Sequence, residues 1–294
     1  MHREDIDLDL VARLIKVQFP RWADLPVTRI EPGGWDNRSF RLGDQMVVRL
    51  PSAACYSAQT EKEQRWLPIL ARELPVPVPV PLALGQPGEG YPWHWSVYGW
   101  LKGATAARPR LADSLQFARS LAAFLAALQR IDASAGPAPG DHNFYRGAPL
   151  EHYDRETRDA IARLNGSIDT PKVVGVWEAA LGSQWRQPPV WVHGDISPEN
   201  LLVFEGGLSA VIDFGCCGVG DPACDLVMAW TFFGPGERAA FRAGLPLDSG
   251  TWTRGRGWAL WKALTTLAGA VGSTQGASAR FALLQALDDH DARS

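Results

Sequence analysis

Residues 191–226, WVHGDISPENLLVFEGGLSAVIDFGCCGVGDPACDL, constrain this chain more than any other stretch. Asp195 follows His193-Gly194, Asn200 comes five residues later, and Asp213 opens Asp-Phe-Gly thirteen residues after that. Two apolar runs, 201–204 and 208–212, lie between Asn200 and Asp213 and meet at Glu205-Gly206-Gly207. Adjacent glycines between such runs signal a hairpin, because both can take positive φ without a Cβ penalty. The hairpin returns Asp213 to the side of Asn200, with Asp195 in the turn before them. Two carboxylates and an amide oxygen make a hard-oxygen site suited to Mg²⁺ and phosphate.

The order of elements around that stretch argues for an α+β chain, with strands first and helices afterwards. Ile6, Leu10, Leu14 and Val17 are spaced as one face of a helix over 4–19. Strand-like runs follow at 27–31, 39–42 and 45–50, the last two joined at Gly43-Asp44. Between the first two sits Gly33-Gly34-Trp35-Asp36-Asn37, where glycine lets backbone N–H groups approach a phosphate closely. The proline alternation of 74–82, LPVPVPVPL, can only be extended and reads as a stiff strap. A final strand is expected at 97–101, then a long amphipathic helix between Leu111 and Ile131. Further helices are expected at 151–164, 173–185, 223–233, 250–271 and 277–290. Asp221-Pro222 reads as the N-cap of the third of these, which gives Asp221 and Asp225 bracing roles.

Asp-x4-Asn followed by Ile-Asp-Phe-Gly resembles the catalytic and metal-binding loops of protein-kinase-like phosphotransferases. His-Gly-Asp together with Gly-Asp-Pro-Ala-Cys-Asp-Leu at 220–226 is similar, more narrowly, to the aminoglycoside phosphotransferase family, which also holds kinases of choline and homoserine. The resemblance implies a two-lobed fold: a small antiparallel-sheet lobe over 1–101, a hinge at 99–103, and a larger, mostly helical lobe over 102–294. It implies transfer of the γ-phosphoryl of ATP or GTP to a hydroxyl of a small acceptor. Asp195 becomes the candidate catalytic base, and Asn200 and Asp213 the candidate Mg²⁺ ligands. Gly33, Gly34 and Asn37 belong to the nucleotide-covering loop, and Trp100 and Leu101 to the hinge that meets the base. Arg49 stands where the kinase pattern has its phosphate-pairing lysine, and Glu63 is its candidate acidic partner. A local alternative for Glu63 is a capping box with Thr60, and Glu61 is the substitute partner. Ser197 replaces the lysine that protein kinases carry two places after the catalytic aspartate, and His193 is expected to be structural. The Pro/Gly loop at 133–149 and the helices after it are where the resemblance puts a substrate lid.

The remaining composition narrows the classes. Net charge over 294 residues is −3, which points to neither nucleic acid nor an anionic membrane. No apolar run approaches the roughly 18 residues of a membrane span, and the acidic start MHREDIDLDL lacks signal-peptide features. Four cysteines without metal-ligand spacing read as reduced and mostly buried, in a cytoplasmic protein. Two other functions stay open: a nucleotide-binding module without catalysis, and a metal-dependent hydrolase using His193, Asp195 and Asp213. An aminoglycoside acceptor would need a set of pocket acids. The candidates are Glu151, Asp154, Glu156 and Asp159, interleaved with arginines, and the tail Asp288-Asp289-His290-Asp291. Oligomeric state has no signature in the sequence.

Overall fold

The computed structural model describes residues 3–31, 33–34, 36–107, 111–269 and 273–292. Helix α1 (Leu8–Gln18) is capped by the Asp7 carboxylate, which accepts from the Leu10 N–H. Its apolar face, with Leu10, Leu14 and Ile15, packs with Phe40, Val48, Trp95 and Val97 of a five-stranded antiparallel sheet. The strands are β1 (Val27–Arg29), β2 (Asn37–Leu42), β3 (Met46–Pro51), β4 (Pro81–Gly85) and β5 (Trp95–Gly99), in the spatial order β1-β2-β3-β5-β4. β5 thus ends at Gly99, short of the expected Leu101, because the Trp100 N–H turns to the Gln45 carbonyl.

Helix α2 (Ala54–Leu70) crosses beside this sheet and is capped at Ala53. Thr60 therefore lies mid-helix, and the capping box with Glu63 does not form. Pro68 does not break the helix at Leu67. It sits in the last turn, where the chain continues helical to Leu70 and the Ala71 N–H still reaches the Leu67 carbonyl. The proline strap runs extended into β4, and its Pro77 carbonyl accepts from the Val211 N–H, two residues before Asp213.

The helical half comprises α3 (Ser114–Arg130), α4 (Asp154–Arg163), α5 (Thr170–Leu181), α6 (Met228–Thr231), α7 (Pro235–Ala243), α8 (Ser249–Gly269) and α9 (Thr274–Asp291). Small sheets are inserted among them: β6 (Ala104–Thr105) with β8 (Leu201–Phe204) and β9 (Gly207–Val211), and β7 (Val190–Val192) with β10 (Gly218–Gly220). Two cores fill this half, one around α3, Trp191, Phe214 and Trp230, the other around α5, α8 and α9. The helix expected over 223–233 is broken into a 3₁₀ stretch, Pro222–Leu226, followed by α6. Asp225 within it turns its carboxylate away to backbone donors elsewhere. The helix expected over 250–271 is described to Gly269, and its predicted end at Val271 lies outside the described residues. No described helix is long and apolar enough to cross a membrane.

Candidate active site

The β8–β9 hairpin builds the site. Phe204 pairs with Gly207, so the turn is Glu205-Gly206, both at positive φ (52° and 82°). This is a two-residue turn of the primed kind. The sequence placed the turn at Gly206-Gly207. Gly207 instead begins β9, and Glu205 takes the second left-handed position. The hairpin returns the chain so that the Ile212 N–H donates to the Asn200 carbonyl at 2.9 Å. Asp213 then adopts φ 67°, ψ 67°, a left-handed conformation uncommon outside glycine that turns its carboxylate out of the strand direction.

Buried groups hold the Asp195 turn. Gly194 has φ 83°, and a Cβ there would stand 2.4 Å from the Cys216 carbonyl oxygen, so only glycine fits. The fully buried Asp225 carboxylate accepts from the His193 and Gly194 N–H groups, both at 2.7 Å. Burial pushes the Asp225 carboxyl up, against the pull of those donors. His193 is also fully buried. Its Nδ1 accepts from the Asp195 N–H at 3.2 Å, which leaves Nε2–H to donate to the Ile212 carbonyl at 3.0 Å. The imidazole is therefore a neutral strut between the two loops. Asp221, expected to brace, caps the Ala223 N–H and takes two hydrogen bonds from Arg254 of α8.

Asp195 has both oxygens engaged. Oδ2 accepts from Asn200 Nδ2 at 3.1 Å, and Oδ1 lies 3.4 Å from Lys262 Nζ. Burial is the largest influence and acts to raise this carboxyl, but Lys262, His193 and Arg146 together outweigh it and hold Asp195 below the ordinary carboxylate range. Asp213 faces the other way, to the sheet, where its Oδ1 accepts from Arg49 Nη2 at 2.6 Å. Arg49 Nη1 is 3.5 Å from Glu63 Oε1, and Glu63 also accepts from the Tyr98 hydroxyl. Glu63, not Glu61, is thus the partner of Arg49. Glu61 pairs with His94 on the surface.

The nucleotide-loop residues are less closely gathered. Asn37 begins β2 opposite Pro51, while Ser39 is the residue opposite Arg49. Neither Gly33 nor Gly34 takes positive φ, and a Cβ on either would meet only ordinary contacts at 3.7 Å. Their expected value lies in leaving room, and the protein's own backbone does not require them. Trp35, quoted with them, lies outside the described residues. Where the hinge was expected, the Trp100 N–H is already spent on the Gln45 carbonyl at 2.7 Å, and Arg41 lies 3.8 Å over the Trp100 ring. Among the described residues the Leu101 N–H makes no hydrogen bond, so it is the better placed of the two for a base edge.

A family model described as the phosphotransferase enzyme family (APH) matches residues 27–262. The chain belongs to that family. An aminoglycoside 3'-phosphotransferase of Escherichia coli is 43% identical over 56 residues, 19% of this chain and 21% of that protein. The match therefore spans about a fifth of the relative's length. Among solved structures, the GDP and kanamycin complex of APH(2")-IIIa is similar with a TM-score of 0.71 at 18% identity, covering 97% of this chain and 99% of the other. The apoenzyme of macrolide 2'-phosphotransferase MphH from Brachybacterium faecium gives 0.61 at 24%, covering 94% and 98%. Both likenesses establish the kinase-like phosphotransferase fold, an antiparallel sheet followed by a helical lobe.

The phosphotransferase brings further groups to the site that its sequence did not single out. Asp36 turns into the cleft from the loop before β2. Burial, then the facing Asp213 and Asp195 carboxylates, raise it, while Gln59 opposes. Lys62 of α2 is buried and donates to the Gly215 carbonyl at 2.7 Å and the His142 carbonyl at 3.2 Å, tying α2 to the Asp-Phe-Gly turn. Arg146 and Lys262 flank Asp195 in one cavity with Trp258 and Trp261. Trp258, Trp261 and Lys262 share one helix face by their spacing of three and four, a signal the sequence did carry. Arg146 had none. It is held by a loop pinned through buried Asn143, whose side chain bonds the Gly140 N–H and the Arg146 carbonyl. That pinning fixes where Arg146 joins the cavity lining.

Oxygen donors suit the expected cation. Among the described residues no three His, Cys, Asp or Glu side chains cluster as a metal site. One carboxylate and one amide oxygen, completed by water and phosphate, are nevertheless an ordinary protein share for Mg²⁺. Asn200 commits its Nδ2 to Asp195, which leaves its oxygen for a cation, and Asp213 keeps Oδ2.

Proposed function

We propose that this phosphotransferase moves the γ-phosphoryl of ATP or GTP to a hydroxyl of a small acceptor. The observation that carries the proposal is the division of the two carboxylates, Asp195 toward Asn200 and Lys262, Asp213 toward Arg49. Asp195 meets the acceptor hydroxyl. A carboxylate held low is a weak base, so its task is to orient the hydroxyl and take the proton late, as a loose phosphoryl transition state permits. Asn200 and Asp213 are the residues that would hold Mg²⁺. Bound with the nucleotide, Mg²⁺ neutralises charge on the phosphate oxygens. Arg49, positioned by Glu63, adds a planar fork for phosphate. The hinge at 99–103 divides a nucleotide lobe, 1–101, from the acceptor lobe, 102–294, and Trp100 and Leu101 border the base. Gly33, Gly34 and Asn37 cover the phosphates.

GDP in the structure of one relative, and the arginine at position 49, keep GTP beside ATP as donor. Four free thiols, three of them buried, fit a reducing cytoplasm. A phosphate-transfer screen of purified protein with Mg·ATP and Mg·GTP against kanamycin, erythromycin, choline and homoserine tests the activity. Acceptor-dependent nucleoside diphosphate release is expected. Nucleotide binding without release on any hydroxyl compound would favour the non-catalytic module, and hydrolysis of a substrate without nucleotide would favour the hydrolase.

A further inference from the structure

Asp195 lines a small, partly open pocket whose other charged lining groups are both cations, Arg146 and Lys262. Lys262 is spoken for, in part, by Asp195 at 3.4 Å. Arg146 is not. Its guanidinium lies over the rings of Trp261 at 4.7 Å, Trp258 at 5.5 Å and Tyr153 at 5.7 Å, and Nη1 donates to the Tyr153 hydroxyl at 3.1 Å. No carboxylate of a described residue comes within 4.0 Å of it. Aromatic faces stabilise the plane of a guanidinium and leave its edge N–H donors for a planar acceptor. Such an edge receives a carboxylate through two parallel hydrogen bonds.

Four of the acids that a polycation would need are committed elsewhere, and the other three, Glu151, Asp159 and Asp288, are not in the pocket lining. Asp154 accepts from Arg158 and the Trp177 indole. Glu156 is held by the Trp261 indole at 2.8 Å. Asp289 is buried against the Trp230 indole and Arg256, and Asp291 pairs with Lys172. Of the acidic tail, Asp289 alone is buried in the packing of α9, and none of it lines the pocket. A polycationic acceptor would set its ammonium groups beside Arg146 and Lys262 with no spare carboxylate but Asp195.

We infer that the acceptor is a small hydroxy acid, its carboxylate on the edges of Arg146 and Lys262 and its apolar body against the partly exposed Trp261. This rests on the phosphotransferase reading of the site. In the transfer, the acceptor hydroxyl oxygen forms a bond to the γ-phosphorus and the bond to the β-phosphate oxygen breaks. The nucleoside diphosphate leaves with that electron pair, and the hydroxyl proton passes to Asp195. The product is a phosphorylated hydroxy acid.

The test holds one scaffold and changes its charge. 3-Phenyllactate, its methyl ester, phenylalaninol and kanamycin are titrated calorimetrically into the full chain saturated with Mg·ADP. The acid should bind about tenfold more tightly than the ester, a difference of the size expected for a charge-assisted pair, and the two amines more weakly than the ester. Arg146→Ala and, should that variant fold poorly, Lys262→Met should bring acid and ester to within about threefold. Tighter binding of kanamycin or phenylalaninol, equal binding of acid and ester, or binding of none of the four overturns the inference. Mg·ATP titration of the same protein is the separate check on the phosphotransferase reading. A protein that prefers the acid yet binds no nucleotide keeps the anion site and loses the kinase.

Discussion

At the residue scale the site separates roles that a glance at its motif would merge. Asp195 and Asp213 are both acids of one hairpin region, yet one faces an amide and an ammonium, the other an arginine. Asp195→Ala should lower transfer by roughly 10²–10⁴, the usual worth of a positioned general base, while Mg·ATP binding persists. Retention of more than about a tenth of wild-type turnover would sink the assignment. Its low carboxyl also sets a pH profile. A depressed carboxyl is ionised from just above its folded pKa upward, so kcat/KM for the acceptor should show no acid limb above about pH 5.5. Lys262→Met removes the largest of the influences that oppose burial, leaving only His193 and Arg146 against it, and should move a limb toward that range. A limb already present in the wild type would contradict the electrostatics described. Asp195, Asn200 and Asp213 were legible because a single local hairpin brings them together. Lys262 and Arg146 were not, since 67 and 49 residues of chain are folded back by tertiary packing to place them there.

Elements show the same division between local and distant causes. Apolar periodicity found most of the helices, missing α7 at Pro235–Ala243, and ends followed caps. The Leu111–Ile131 pattern becomes α3 from Ser114, because the Asp113 carboxylate takes the Gln116 N–H. Likewise α5 begins at Thr170 after Asp169, and α9 at Thr274 after Ser273. The turn of the β8–β9 hairpin slipped by one residue because Glu205 accepts a left-handed φ that glycine at 207 would have taken more cheaply. Helix α8 carries most of what the sequence left unread. Arg254, Trp258, Trp261 and Lys262 stand on it, joining the brace at Asp221 to the cavity at Asp195. Arg254 and Asp221 are almost wholly buried together, so removing one strands the other's charge. Arg254→Ala should cost about 3–5 kcal/mol of unfolding free energy, read by urea denaturation. A loss under about 1 kcal/mol would show that the pair does not brace the loop.

Across the whole molecule three cores meet at the site: one under the sheet, one around α3 and Trp191, one around α5, α8 and α9. The order of strands then helices was readable from composition and turns alone, while the gathering of Trp191, Phe214 and Leu226 into one core with α3 was not. Burial also protects three of four thiols. Cys216, Cys217 and Cys224 are buried, and burial raises each, Cys217 to about 12. A thiol reagent at neutral pH should label Cys55 alone in the native protein and all four after denaturation. Rapid labelling of a second native thiol would mean that the Asp-Phe-Gly region opens readily. The central claim is that Asp213 serves nucleotide and metal while Asp195 serves the acceptor. Calorimetric titration of Mg·ATP and Mg·GTP into Asp213→Ala and Asp195→Ala tests it most directly. The claim predicts that Mg²⁺-dependent binding disappears in Asp213→Ala and survives in Asp195→Ala. Unchanged nucleotide affinity in Asp213→Ala would contradict it.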